Sequence, residues 1–160
     1  MMNKFSAQQK LQNPENFEPS NFESLDLNLD IEEASGENAI GHYLKKARLP
    51  DVVGVPARVV EVLTQRIGQA PLGITEVAEE LNFSKRTLQR RLQKQNVNFA
   101  ELRDQVRFHF SIDYLVRQQL NVDSISTALD FSDRTSFTNA FKRWTGLSPS
   151  NFRKLFRDYV

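Results

Sequence analysis

The apolar positions of this chain fall at helical spacing over most of its length, and twice they fall in the same arrangement. Val122, Ile125 and Leu129 form one stripe. Asp130-Phe131-Ser132-Asp133 interrupts it with turn and cap residues, and Phe137, Phe141 and Trp144 form a second stripe. Asp133 or Ser132 can accept the free N–H groups of the second helix's first turn. The opposite side of that helix carries Arg134, Thr135, Thr138, Asn139, Lys142 and Arg143. Two short helices joined by a tight turn, the second apolar on one side and polar-basic on the other, make a helix-turn-helix pattern.

Shifted by 48 residues, Ile74, Val77, Leu81, Phe83 and Ser84 fall on Val122, Ile125, Leu129, Phe131 and Ser132. With one residue inserted, Leu88 and Leu92 fall on Phe137 and Phe141. Stripe, turn and cap recur together, which marks an internal repeat. The first unit therefore covers about 74–95 and the second about 122–145. Asn82 stands where the first turn is expected to need positive φ, which Asn tolerates. Ser84 is the expected N-cap. The helix that follows holds five basic residues between Lys85 and Lys94 and no acid. Leu88 and Leu92 turn inward, which leaves Lys85, Arg86, Gln89 and Arg90 outward. Two plain helical hairpins in an all-α core would explain the stripes but not a basic outward face on both second helices.

Between the units, Leu102, Val106, Phe110, Tyr114 and Leu115 predict one helix from Phe99 to about Gln119, roughly 30 Å long. Such a rod can hold two recognition helices at the separation of successive major-groove faces, about 34 Å. Pro56 suits the first turn of a helix running to about Gln69, with Val59, Val60, Leu63 and Ile67 inward. Ser148-Pro149 caps and opens a last helix containing Phe152, Leu155 and Phe156. The expected fold is all-α: two helix-turn-helix subdomains, homeodomain-like helical bundles, joined by a long central helix, over residues 56–160. Residues 39–55 read as a linker with a short helix, with Ile40, Tyr43, Leu44 and Ala47 on one side, broken at Leu49-Pro50-Asp51. Residues 1–38 read as an acidic, flexible leader. Within it Leu25, Leu27, Leu29 and Ile31 alternate with polar residues like a strand, but one strand alone cannot bury its face.

Charge sharpens this division. The net charge of +1 conceals five Lys/Arg against nine Asp/Glu in residues 1–55, and 16 against 11 in residues 56–160. A basic domain behind an acidic leader points to an anionic partner. The chain has no cysteine, which excludes disulfides, zinc fingers and thiol catalysis and fits a reducing, cytoplasmic location. No apolar run approaches the roughly 18 residues of a membrane span, and the N-terminus lacks the apolar stretch of a secretion signal. His42 and His109 have no ligand-like spacing, and no phosphate loop or catalytic constellation is present, so neither an enzyme nor a cofactor is expected. The leader holds too few apolar residues to enclose a small-molecule effector.

Val77-Ala78, Leu81, Phe83-Ser84, Thr87-Leu88 and Arg90 recur in a known family. So do Ile125, Phe131-Ser132-Asp133, Ser136-Phe137 and the run from Ala140 to Pro149, Ala-Phe-Lys-Arg-Trp-Thr-Gly-Leu-Ser-Pro. The region from about Ile74 to Arg153 resembles the DNA-binding domain of the AraC/XylS transcription regulators. The resemblance implies double-stranded DNA as partner, with RNA polymerase a further candidate. It implies base reading by Arg86, Gln89 and Arg90 and by Arg134, Thr135, Thr138 and Asn139, with phosphate contacts from other positions such as Lys85, Lys142 and Arg143. DNA-repair proteins that carry this domain beside a methyl-accepting cysteine are excluded by the absence of cysteine. Across the second turn the family has Ala-x-x-x-Gly-Phe, where this chain has Ser126 and Asp130. Asp130 is expected to carry a strain that glycine avoids, and Ser126 to place a hydroxyl where two helices cross. Many members carry a larger N-terminal effector-binding domain, so this chain is either a short standalone regulator or a piece of a longer one. A helical protein-interaction module with only non-specific DNA affinity is the alternative reading.

Overall fold

In a computed structural model of the chain, residues 36–159 are described. The reading of the leader, with its alternation from Leu25 to Ile31, lies outside them. Among the described residues every regular element is helical. In chain order they are α1 (Gly36–Lys46), α2 (Val55–Arg66), α3 (Ile74–Glu80), α4 (Lys85–Gln93) and α5 (Phe99–Ile112). A π-helical turn follows (Asp113–Arg117), then α6 (Val122–Ala128), α7 (Arg134–Thr145) and α8 (Pro149–Phe156).

The starts of these helices are set by short polar side chains. Ser84 Oγ accepts the Thr87 N–H at the head of α4, Asn98 Oδ1 that of Glu101 at α5, and Asn121 Oδ1 that of Ser124 at α6. Asp133, and not Ser132, caps α7 through the Ser136 N–H at 2.7 Å, and Ser148 caps α8 ahead of Pro149. Both helix-turn-helix turns pass through the left-handed region, at Asn82 (φ 61) and Asp130 (φ 59). The Ser126 hydroxyl is buried but satisfied, since it donates to the Val122 carbonyl one turn back at 2.8 Å.

Two cores result. One is built from Val59, Leu63, Val77, Leu88, Leu92, Leu102 and Val106, the other from Phe108, Ile112, Ile125, Phe137, Phe141, Trp144, Phe152 and Phe156. Helix α5 feeds both, its first half into the first unit and its second half into the second. Its α-helical part ends at Ile112, short of the expected Gln119, so it spans 14 residues or about 21 Å. The chain then widens into the π turn, where the Gln118 N–H reaches Asp113 O and the Leu120 N–H reaches Tyr114 O. Gln119 at φ 53 ends the element. The widened turn places both Leu115 and Val116 in the second core.

Helix α1 has a larger part than a linker. Ala39, Ile40, Tyr43 and Ala47 are buried in the second core. The Tyr43 ring meets Phe152 edge-on at 5.1 Å and its hydroxyl donates to the Thr145 carbonyl at 3.2 Å. The α1 end is tied down as well, because Gln105 Nε2 donates to both Lys46 O and Arg48 O.

Candidate nucleic-acid interface

Helix α4 presents one apolar and one basic side. Leu88 and Leu92 are buried, whereas Lys85, Arg86, Gln89 and Arg90 are exposed, as their spacing requires. Ser84 fixes where this face begins, because its hydroxyl both caps the helix and donates to Thr87 Oγ1. Lys85 and Gln89 form part of the rim of an open cleft of about 740 Å³ that α4 shares with the start of α5, with Phe99 and Arg103 opposite.

Helix α7 is the equivalent element of the second unit. Phe137, Ala140, Phe141 and Trp144 are buried. Arg134, Thr135, Asn139, Lys142 and Arg143 are exposed, and Thr138 is half-buried. Two of its cations already face carboxylates. The Arg134 guanidinium lies 3.7 Å from Asp123 on α6, an open surface pair, and Arg143 lies 3.3 Å from Asp104 on α5. The Asp133 carboxyl is held below the usual carboxylate range by the backbone N–H and the hydroxyl of Ser136, so it stays charged and caps α7 at neutral pH.

A second basic surface flanks α4 and was not singled out by periodicity. Arg91 stands 5.0 Å over the Phe83 ring and Arg58 of α2 stands 5.9 Å from the same ring. Arg90, Arg91 and Lys94 line a recess of about 320 Å³ with Val55 and Gln95. The signal was present in the five basic residues of the helix. Arg58, 25 or more residues earlier, carries no local cue that it joins them.

The cation that ties α5 to the second turn is of a different kind. Arg107 on α5 is 6% exposed, and its Nε donates to the Leu129 carbonyl at 2.8 Å and a terminal nitrogen donates to the Asp130 carbonyl. Burial and the neighbouring Arg103 lower its pKa to about 10 against the pull of Asp104 and Asp130, so it remains a cation at neutral pH. It also stands 4.0 Å over the Phe131 ring.

Residues 77–155 match the family described as a helix-turn-helix domain, of the AraC type. The domain over residues 77–155 belongs to the AraC-type helix-turn-helix family. The ornithine utilization regulator of Pseudomonas aeruginosa is 35% identical over 101 residues, which is 63% of this chain and 30% of that protein. The crystal structure of the transcriptional regulator CdpR from Pseudomonas aeruginosa superposes with a TM-score of 0.58 at 33% identity, covering 63% of this chain and 32% of that one. The C-terminal domain of AraT, a response regulator from Geobacillus stearothermophilus, superposes with a TM-score of 0.56 at 25% identity, covering 65% and 87%. The chain thus spans about a third of the length of the curated relatives it matches. The AraC-type likeness accounts for the paired turns, the capped helix that follows each and the α5 connection. Among the described residues no helix is long and apolar enough to cross a membrane.

Proposed function

We propose that this AraC-type domain binds double-stranded DNA sequence-specifically in transcriptional control, with α4 and α7 in successive major grooves. The observation that carries the reading is the doubling of one device. Each unit ends in a capped helix with a buried apolar side and an exposed side rich in Arg, Gln, Thr or Asn, the side chains that pair with base edges. Arg86, Gln89, Arg90, Arg134, Thr135, Thr138 and Asn139 are assigned to bases. Lys85, Lys142 and the Arg58, Arg91 and Lys94 surface are assigned to phosphates, which orient the domain without reading sequence. Arg143, already facing Asp104, is given a lesser share. Names of relatives support the reading, since they are regulators of operons and transcription. On DNA, such a domain would act by occluding a promoter or by touching RNA polymerase. No catalytic role and no effector are assigned.

Because the two units differ, one chain is expected to read one asymmetric site. Selection of bound sequences from random duplexes, followed by titration of the recovered site and its scrambled version, tests this. A recovered site bound at least about a hundredfold more tightly than the scramble supports the reading. Equal affinity for both would leave a helical interaction module with only non-specific affinity for DNA.

A further inference from the structure

We infer that Asp130 is a positioning residue which clamps the first unit onto the turn of the second and thereby fixes the spacing at which α4 and α7 meet DNA. The consequence for DNA rests on the reading above, but the clamp itself rests on geometry alone. The Asp130 backbone adopts φ 59, a left-handed conformation that is disfavoured for any residue with a Cβ. Its carboxylate Oδ2 accepts the Leu72 N–H at 2.8 Å across 58 residues of sequence. Beside it, the Gly68 N–H donates to the Ala128 carbonyl at 2.9 Å. The loop between α2 and α3 is thus bonded twice to the α6–α7 turn.

Both ends of the clamp are anchored in packed cores. The Leu72 side chain is fully buried in the first core and that of Leu129 in the second. Arg107 closes the arrangement from α5 by donating to the carbonyls of Leu129 and Asp130. Leu72 lies two residues before α3 and Asp130 four residues before α7. A shift at this joint therefore moves one helix-turn-helix relative to the other. The capping of α7 is done by Asp133, so nothing in the local turn requires a carboxylate at 130. Glycine would adopt the same φ with less strain. What Asp130 adds is the acceptor for the first unit.

The test compares Asp130→Gly, which keeps the backbone conformation and removes the acceptor, with Asp130→Asn, which keeps an acceptor oxygen and tolerates positive φ. The chain has no cysteine, so spin labels on Gln93→Cys of α4 and Lys142→Cys of α7 report the separation of the two recognition helices without DNA. D130G is expected to broaden the distance distribution, and D130N to leave it narrow. On DNA, adding or removing one base pair between the two half-sites should cost the unlabelled parent and D130N about tenfold in affinity, because the duplex must be overtwisted or untwisted to fit. D130G should lose less than about threefold, because its units can adjust instead. Unchanged distances in D130G overturn the clamp, as does an unchanged spacing penalty in a chain that binds specifically. A broadened distribution in a chain with no spacing preference would keep the clamp and overturn the two-groove reading. If D130G does not fold, D130N decides. Slow hydrogen exchange of the Leu72 amide in D130N supports the clamp, and exchange as fast as that of an unprotected amide contradicts it.

Discussion

The Asp104 carboxylate on α5 stands 3.3 Å from the Arg143 guanidinium on α7 and 3.6 Å from that of Arg107. One acid on the central helix thus faces both a structural cation and a cation of the second recognition helix. Arg143→Ala is expected to change affinity for the recovered DNA site by less than about threefold, because a partly exposed pair of this kind contributes little and its cation is already engaged. Asp104→Asn should make the logarithmic salt dependence of non-specific binding steeper by about one, by freeing Arg143 for phosphate. Fluorescence anisotropy over a salt series reads both.

Arg90 and Lys142 should separate base reading from phosphate binding. Arg90→Ala is expected to lose about 1–3 kcal/mol on the recovered site and to relax preference at one base position. Lys142→Ala should weaken recovered and scrambled duplexes alike. Equal losses on both duplexes for Arg90→Ala would make it a phosphate contact and move base reading to Arg86 and Gln89.

Tyr43 tests whether α1 belongs to the folded domain. Its ring is 1% exposed and packs on Phe152 and Phe156. Tyr43→Ala is expected to cost about 3–5 kcal/mol in urea unfolding, the range for removing a large buried aromatic side chain. A cost below about 1 kcal/mol would return α1 to the status of a linker.

His109 supplies a pH dependence. Burial holds its pKa below the ordinary imidazole value, although its ring nitrogen lies 3.0 Å from the Ala47 carbonyl. Between the folded and unfolded values the unfolded chain binds more protons, so stability falls as pH drops through the ordinary imidazole value and levels off below the folded one. The melting temperature should therefore decrease from about pH 7.5 to about pH 5, and decrease less in His109→Gln. Identical slopes in both chains would show that His109 does not titrate on unfolding.

Much of the fold is legible in the sequence because it depends on local signals. Ser84 and Ser148 sit where caps are needed, and Asn82 and Asp130 fall in turns that require positive φ. The stripe of Leu88 and Leu92 alone is enough to divide α4 into a core side and a basic side. What was not legible depends on contacts between distant segments. Arg107 has no local cue to its role, because the turn it holds lies 22 residues later. Tyr43 reads as part of a linker because its partner carbonyl, Thr145, is 102 residues away. Asp130 reads as a strained substitute for glycine. The acceptor it offers to Leu72 appears only once the two units are side by side. The early end of α5 was hidden for another reason, since a π turn keeps apolar residues inward with a period close to that of the α-helix.

The most direct measurement is the affinity of the chain for its recovered site with about five base pairs, half a helical turn, inserted between the two half-sites. Two recognition helices held by α5 and the Asp130 joint cannot both face the duplex after that rotation. Affinity should fall to near the level of scrambled DNA. Affinity unchanged by the insertion would show that one unit binds alone and would contradict reading by both.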